Sequence, residues 1–337
     1  MQVGAPRLLA GMAAAATLAA IAGSSSQSSA AFNAQRMNPG NSLTSSDYFG
    51  FFSSGGYTGN NADNRAITGV GFMPNLVIVK GNTSQTSVAR SSSMSGDLSK
   101  PLSGGTALTA NVIQSLDADG FTLGTNARVN GSGVGYRWMA FRAQEDLLEV
   151  GSYTGNGSAQ SISGLGFSPE YVAVFSAAGQ AAVQRYAGAT TSFLFSGDTG
   201  NATRITALGA DGFSVGNQNT VNANGTTYHW VAFNEVPGVL DVGAYTGNGA
   251  DNRSITGVGF QPEYVTVRAN DTATARAGVH RPATLAGDSS LRHTATANLA
   301  NAIQALQSGG FQVGTDASVN AAGVSYPYLA VRDSAGA

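Results

Sequence analysis

The sequence contains no cysteine among its 337 residues. Disulfide bonds, a thiolate nucleophile and cysteine-ligated metal sites are therefore excluded. Charged residues are also scarce, at 11%, and the formal net charge is −2. This balance gives no basis for binding nucleic acid or an anionic membrane, because both partners attract a positively charged surface.

The sequence also lacks the common motifs of catalysis and metal binding. Its three histidines, His229, His280 and His293, show none of the spacings that zinc sites use. There is no Gly-x-Ser-x-Gly motif, no Walker loop and no repeated pair of carboxylates suited to glycoside cleavage. We therefore expect a protein that is not an enzyme and needs no cofactor, with an extracellular hydrolase as an alternative.

The N-terminus has the pattern of a signal peptide over residues 1–31. A positive charge at Arg7 precedes the apolar run 8–22, and small residues follow near 28–31. The apolar run is shorter than the roughly 20 residues that a membrane-spanning helix requires. The pattern predicts a secreted or cell-surface protein without a membrane span in the mature chain, which would begin with a polar arm at 32–46.

The rest of the chain is a threefold repeat rich in glycine, which accounts for 45 residues. The motif Tyr-Thr-Gly-Asn begins at Tyr57, Tyr153 and Tyr245, which are spaced by 96 and 92 residues. A second motif containing Gly-Phe and Val-Asn closes each copy. We place the three units at 47–144, 145–237 and 238–337.

Each unit is predicted to consist of short strands. Runs of β-branched and aromatic residues such as 76–79 follow a proline, and 136–141 alternates with period two, placing Tyr136 and Trp138 on one face. The segment 295–306 is predicted as a loop leading into a strand. Units of this size match all-β, antiparallel β-sandwiches of jelly-roll or lectin-like type. The alternative is a six-bladed propeller with two blades per unit.

Four motifs resemble those of a known β-sandwich module. They are Ile-Thr-Gly-Val-Gly-Phe-Gln-Pro-Glu-Tyr-Val at 255–265, Leu-Asp-Ala-Asp-Gly-Phe-Thr-Leu-Gly at 116–124, Val-Asn-x-x-Gly-x-x-Tyr, and Trp-x-Ala-Phe. The module recurs in phage tail-fibre-like proteins and in secreted bacterial proteins of uncharacterised function, some of them lectin-like. The resemblance spans 55–332 in triplicate. It implies a sandwich fold and provides no catalytic residues.

A polar cluster recurs in units one and three and is the first candidate site. Its members in unit one are Asp63, Asn64, Arg65, Arg90 and Asp97, and those in unit three are Asp251, Asn252, Arg253, Arg281 and Asp288. Such residues can bind Ca²⁺ or a sugar, or they can cap turns and tie a loop to a strand. Unit two has Gln160 and Ser192 at two of these places, so we expect the site to be absent or altered there.

The second candidate site is aromatic. Trp138 and Trp230, with Tyr328 in unit three, can form a platform on which a sugar ring stacks, or they can fill the sandwich core. Asn130, Asn222 and Asn320 match one another in Val-Asn turns, where hydrogen bonds to nearby backbone explain them without a ligand.

These observations favour a secreted or cell-surface adhesion protein that binds glycans through tandem β-sandwiches. Several weak sites on one chain would act together by avidity. The alternative is a structural subunit that self-associates into an extracellular fibre, matrix or envelope layer through strand edges or the polar arm.

Overall fold

The computed structural model describes residues 50–332. These residues lie in one compact unit. The predicted signal peptide and polar arm fall outside the described residues. Among residues 50–332, no helix is long and apolar enough to cross a bilayer.

Repeat 1 contains eight strands and a helix of four residues. The elements are β1 (Phe52–Thr58), β2 (Arg65–Thr68), β3 (Leu76–Gly81), β4 (Val88–Ser91), β5 (Lys100–Pro101), β6 (Ile113–Asp117), β7 (Gly120–Leu123), α1 (Ala127–Asn130) and β8 (Gly135–Phe141). A five-stranded sheet has the order β1-β8-β3-β4-β5, and a three-stranded sheet has the order β2-β7-β6. All pairings are antiparallel.

Repeats 2 and 3 have the same topology. Repeat 2 consists of β9 (Leu148–Thr154), β10 (Gln160–Ser163), β11 (Tyr171–Ser176), β12 (Val183–Tyr186), β13 (Phe193–Leu194), β14 (Ile205–Gly209), β15 (Gly212–Val215), α2 (Asn219–Asn222) and β16 (Thr227–Phe233). Repeat 3 consists of β17 (Leu240–Thr246), β18 (Arg253–Thr256), β19 (Tyr264–Val267), β20 (Val279–Pro282), β21 (Leu291–Arg292), β22 (Ile303–Gln307), β23 (Gly310–Val313), α3 (Ala317–Asn320) and β24 (Ser325–Val331). The loop-then-strand prediction for 295–306 is confirmed by β22.

Each repeat is an antiparallel β-sandwich, as the sequence predicts. In repeat 1 the two sheets enclose an apolar core that includes Val77, Val79, Phe121 and Trp138, and repeats 2 and 3 have equivalent cores. The alternative of a six-bladed propeller is wrong, because each unit of the described chain pairs one five-stranded and one three-stranded sheet.

The five-stranded sheets are buried on both faces. Along β3, Val77 and Val79 point into the sandwich, whereas Leu76 and Ile78 point into a second core. Along β8, Tyr136 and Trp138 are inside and Phe141 is on the opposite face. Successive side chains of a strand point to opposite faces, so an uninterrupted apolar run marks a strand covered on both sides.

The second core is shared by all three repeats. It is lined by residues at equivalent positions of the three repeats. The first set is Leu76, Tyr171 and Tyr264, on the central strand of each five-stranded sheet, and the second is Phe141, Phe233 and Val331, at the end of the last strand of each repeat. The third set is Leu102, Phe195 and His293. They enclose an apolar cavity of about 30 Å³. The three sandwiches therefore pack around a pseudo-threefold axis, like the subunits of a cyclic trimer joined in one chain.

Buried cations cross the seams between the repeats. Lys100 of repeat 1 donates to the carbonyls of Ser176 and Ala178 in repeat 2, at 2.7 and 3.1 Å. Arg268 of repeat 3 donates to the Asp198 carboxylate of repeat 2 at 3.1 Å. Lys80 of repeat 1 donates to the carbonyl of Thr296 in repeat 3 at 2.8 Å. Each repeat thus contacts the other two, which closes the ring.

The antiparallel pairing of the strands gives each sandwich two different ends. In repeat 1, Thr58 pairs with Gly135 at one end, whereas Phe52 and Leu76 both pair with Phe141 at the other. Loops 59–64 and 124–134, with their counterparts in repeats 2 and 3, therefore lie at one end, which we call the loop end. The linkers 142–147 and 234–239 lie at the other, the linker end, where the described chain also begins and finishes.

A stacked histidine pair lies in the seam between repeats 3 and 1. The rings of His280 and His293 are parallel, 4.1 Å apart between centroids, and both side chains are buried. His293 Nδ1 is 3.2 Å from Ser87 Oγ, whereas neither ring nitrogen of His280 has a hydrogen-bond partner. Burial, and then the charge of Lys80, lowers the pKa of His293 to about 3. Burial, then His293 and Lys80, hold the pKa of His280 well below its usual value.

These histidines predict a loss of stability in acid. An unfolded histidine titrates near pH 6.5, whereas His293 stays neutral until about pH 3, so the unfolded state binds more protons in that window. The free energy of unfolding should fall by up to about 1.4 kcal/mol per pH unit for each such histidine as the pH drops below 6.5. Urea denaturation between pH 7 and pH 4 measures this slope.

The internal repeat supplies the variant for that experiment. Leu102 occupies the position of His293 in repeat 1, and Ala89 that of His280. In the double variant His280→Ala, His293→Leu, the free energy of unfolding should depend less steeply on pH. Its slope should be smaller by up to about 3 kcal/mol per pH unit, because two titrating histidines are removed. Parallel slopes for the variant and the unchanged protein would contradict the assignment.

Candidate functional site

A buried asparagine joins the loops at the loop end of every repeat. In repeat 1, Asn130 Oδ1 accepts from the N–H of Asn60 and from Arg65 Nη1, at 3.0 and 3.1 Å. Its Nδ2 donates to the carbonyls of Ala62 and Gly124, at 2.7 and 2.9 Å. Asn222 and Asn320 make equivalent bonds. The sequence predicted local hydrogen bonds for these residues, but most of their partners are more than 60 residues away.

The arginines of the repeated Asp-Asn-Arg segment belong to this network. Arg65 also donates to the carbonyl of Thr58 at 2.7 Å, and its guanidinium lies 4.9 Å from the centre of the Tyr57 ring. Arg253 bonds Asn320 and the carbonyl of Thr246 in the same way. In repeat 2, Gln160 Nε2 takes over both contacts. These side chains therefore tie the start of the second strand of each repeat to the end of the first strand and to the buried asparagine.

The aspartate and asparagine of the segment form an exposed turn. Asn64 and Asn252 have left-handed backbone, with φ of 51° and 54°, which asparagine tolerates better than most residues. Asp63 Oδ1 accepts from Gln114 Nε2 at 2.8 Å, and Asp251 Oδ1 accepts from Gln304 at 2.9 Å.

Arg90 and Asp97 tie a loop to a strand separately, because they form no ion pair with each other within residues 50–332. Arg90 donates to backbone carbonyls, including those of Gly96 and Ile113, and Arg281 does the same in repeat 3. Asp97 instead accepts from the N–H of Asn111 at 2.9 Å, and Asp288 accepts from that of Asn301. Each arginine organises the loop that follows its strand.

The structure does bring Asp63 and Asp97 into one network. Gln114 Nε2 donates both to Asp63 and to Asn111 Oδ1, and the N–H of Asn111 bonds Asp97. Within residues 50–332, no group of three or more acidic or histidine side chains is placed to hold a metal ion. In repeat 2, Ser192 occupies the position of Ser99, because both residues form an isolated β-bridge to the loop that follows. The sequence spacing had placed Ser192 at the position of Asp97.

The two tryptophans lie in the sandwich cores. Trp138 and Trp230 are 6% and 7% exposed and pack edge-on against Phe121 and Phe213. Gly55 lies so close to the Trp138 indole that a Cβ there would be 2.4 Å from the ring. This corrects the stacking-platform interpretation, because neither indole offers a face to a sugar.

A concavity that the sequence did not predict opens at the loop end of repeat 2. It has a volume of about 360 Å³. Its lining consists of uncharged polar side chains, those of Gln180, Asn217, Gln218, Asn219 and Thr220. The loop after β11 supplies the first of these and the start of α2 supplies the others, so residues almost 40 positions apart meet.

The side chains of this amide pocket are free of partners within the described chain. Gln218, at the N-cap of α2, makes no side-chain cap bond, and Thr220 Oγ1 is buried without a hydrogen bond. At the same place in the other repeats, Asn126 and Asp316 each accept a backbone N–H. The polar groups are satisfied internally in repeats 1 and 3 and left available in repeat 2.

The buried asparagine and the exposed aspartate should differ sharply on mutation. Asn130→Ala leaves the buried carbonyl of Gly124 and the N–H of Asn60 without partners, so we expect a loss of about 3 kcal/mol in unfolding free energy. Asp63→Ala removes two exposed bonds, those from Asn64 and Gln114, and should cost less than about 1 kcal/mol. Urea denaturation at pH 7 compares them, and equal losses would contradict the assigned roles.

Comparison with known proteins gives a family but no function. The family described as Domain of unknown function (DUF7483) matches residues 44–146 and 148–334. The break between the two matches falls in the linker that joins repeats 1 and 2. No curated protein and no solved structure matches the chain. Since the two matches cover most of its length, the chain belongs to the family described as Domain of unknown function (DUF7483).

Proposed function

We propose that this protein is a secreted or cell-surface, non-catalytic adhesion protein that binds glycans at its loop end. The observation that carries the proposal is the amide pocket of repeat 2. Within the described chain, its five polar side chains have no hydrogen-bond partners. Gln180, Gln218 and Thr220 are half-buried, whereas Asn217 and Asn219 are exposed. Half-buried polar groups in native proteins are nearly always bonded, so three free ones beside two exposed amides favour a ligand.

The chemistry of the pocket suits a neutral, hydroxyl-rich ligand. Each side-chain amide of Gln180, Asn217, Gln218 and Asn219 both donates and accepts, as sugar hydroxyls do. No charged residue lines the pocket. Its volume of about 360 Å³ lies at the lower end of the range for small-molecule sites, which corresponds to one or two sugar units.

The architecture supports a role in adhesion. The three repeats share one core, and the described chain begins and finishes at the linker end. A protein attached through its linker end would present the loop end outward. The shared core fixes the loops in place, which lowers the entropic cost of binding.

Self-association into a fibre, matrix or envelope layer is the alternative function. The outer strands β6, β14 and β22 of the three-stranded sheets each have only one neighbour in the described chain. Such edges can pair with another chain.

A glycan array tests the primary proposal. The double variant Gln218→Ala, Asn219→Ala removes two amides from the pocket, and Asn219→Ala installs the residue found in repeat 1, Ala127. We expect binding to weaken at least tenfold, which corresponds to about 1.4 kcal/mol.

The matched control is Ser132→Ala, an exposed change at the loop end of repeat 1. It should bind as the unchanged protein does, and both variants should unfold at the same temperature as that protein. Full binding by the pocket variant, or silence of the unchanged protein across a broad array, would overturn the proposal.

A further inference from the structure

Repeats 1 and 2 each contain an internal carboxylate receptor at the linker end. In repeat 1, the Asp119 carboxylate accepts from the N–H groups of Gly69 and Gly71, at 3.0 and 2.7 Å. In repeat 2, Asp211 accepts from Gly164 and Gly166, at 3.0 and 2.8 Å. The bonds from Gly71 and Gly69 lower the pKa of Asp119, as expected when donors stabilise the charged form. The Gly-x-Gly loop is therefore built to hold a carboxylate.

Repeat 3 keeps the receptor and lacks the carboxylate. Gly257 and Gly259 have left-handed backbone, with φ of 102° and 83°, close to the 82° and 88° of Gly69 and Gly71. At the position of the aspartate, repeat 3 has Gly309. No acceptor in the described chain bonds the N–H of Gly257 or Gly259.

An open concavity of about 530 Å³ lies over these two N–H groups. Its lining includes Arg332, whose guanidinium forms no ion pair with a carboxylate of the described chain. Ser308 also lines it, where repeats 1 and 2 have Ala118 and Ala210. Relative to its sister repeats, repeat 3 has therefore lost an internal anion and gained a hydroxyl beside a cation.

We propose that this concavity binds the carboxylate of an external ligand. The N–H groups of Gly257 and Gly259 take the two carboxylate oxygens, as the equivalent groups do with Asp119 and Asp211. Arg332 balances the charge, and charge-assisted bonds of this kind are stronger than neutral ones.

The surroundings narrow the ligand to an acidic sugar. Thr256, Gln261 and Ser308 offer hydroxyl and amide groups to sugar hydroxyls. The sugar part of the assignment rests on the glycan-binding function proposed above, whereas the carboxylate part rests on repeats 1 and 2 alone.

Titration of the ¹⁵N-labelled full chain with small probes tests the site. Sodium D-glucuronate and sodium acetate should both shift the amide signals of Gly257 and Gly259 in a saturable way. D-glucose and sodium chloride at the same concentrations should leave both signals in place. Glucuronate should bind at least about tenfold more tightly than acetate, because the lining groups contact its hydroxyls.

Variants taken from the sister repeats provide the controls. Gly309→Asp restores the internal carboxylate and should abolish both responses. Asp119 and Asp211 do not have a positive φ, so we expect the aspartate to draw this turn from the left-handed backbone of Gly309 toward that of the sister repeats. Asp211→Gly should create a new acetate response at Gly164 and Gly166.

Arg332→Gln should weaken binding about tenfold. Asp333→Asn, which removes the next carboxylate along the chain, should titrate like the unchanged protein.

The outcomes separate the parts of the proposal. Unshifted Gly257 and Gly259 signals, or equal shifts in the Gly309→Asp variant, would overturn the site. A response that emerges only in Asp333→Asn would overturn the external ligand, because the chain would then fill its own receptor. Equal affinity for acetate and glucuronate would overturn the sugar assignment while the carboxylate site stands. None of these results depends on the amide pocket of repeat 2.

Discussion

The structure depends on covering the second face of each five-stranded sheet. One face is covered by the three-stranded sheet of the same repeat. In an isolated repeat, the other face would expose Leu76, Ile78 and Phe141 or their counterparts to solvent. Burying apolar area stabilises by about 25 cal/mol per Å², so three such faces gain most by packing on one another. The central core is the result, and it makes the three repeats one cooperative body.

Polar groups in the seams define how the repeats are arranged around that core. Apolar packing alone tolerates sliding, whereas a buried ammonium such as that of Lys100 needs its carbonyl partners in place. The three seams use different groups, because Arg268 meets Asp198 in one and stacked histidines accompany Lys80 in another. A wrong neighbour would leave a buried charge unpaired, so these contacts give the ring a single order.

The repeats share a scaffold and differ at their ends. Each loop end is held by the same buried asparagine, yet only repeat 2 leaves a group of amides without partners. Each linker end has the same Gly-x-Gly loop, yet within residues 50–332 only repeat 3 leaves it without a carboxylate. In both cases one copy lacks a bond that its sisters make, which identifies a position where a ligand can replace the chain's own group.

The threefold repeat, the strands, the turns and the sandwich class could be predicted from the amino-acid sequence. Period-two alternation, proline at strand starts and glycine in turns are local properties, so they can be recognised without knowing what lies across the fold. For the Asp-Asn-Arg segments, the sequence left ligand binding and turn capping open, and the structure places Asn64 and Asn252 in exposed turns. Their arginines could not be assigned from sequence, because the partner asparagine lies about 65 residues away.

Which faces and polar groups remain available depends on how distant segments pack in the folded protein. An aromatic residue at alternate strand positions has the same pattern whether it faces a core or solvent, so the burial of Trp138 depended on the second sheet. The amide pocket requires a loop and a helix that are distant in sequence. The substitution at Gly309 is visible in the sequence, but its meaning comes from the bonds that Asp119 and Asp211 make in the folded sister repeats.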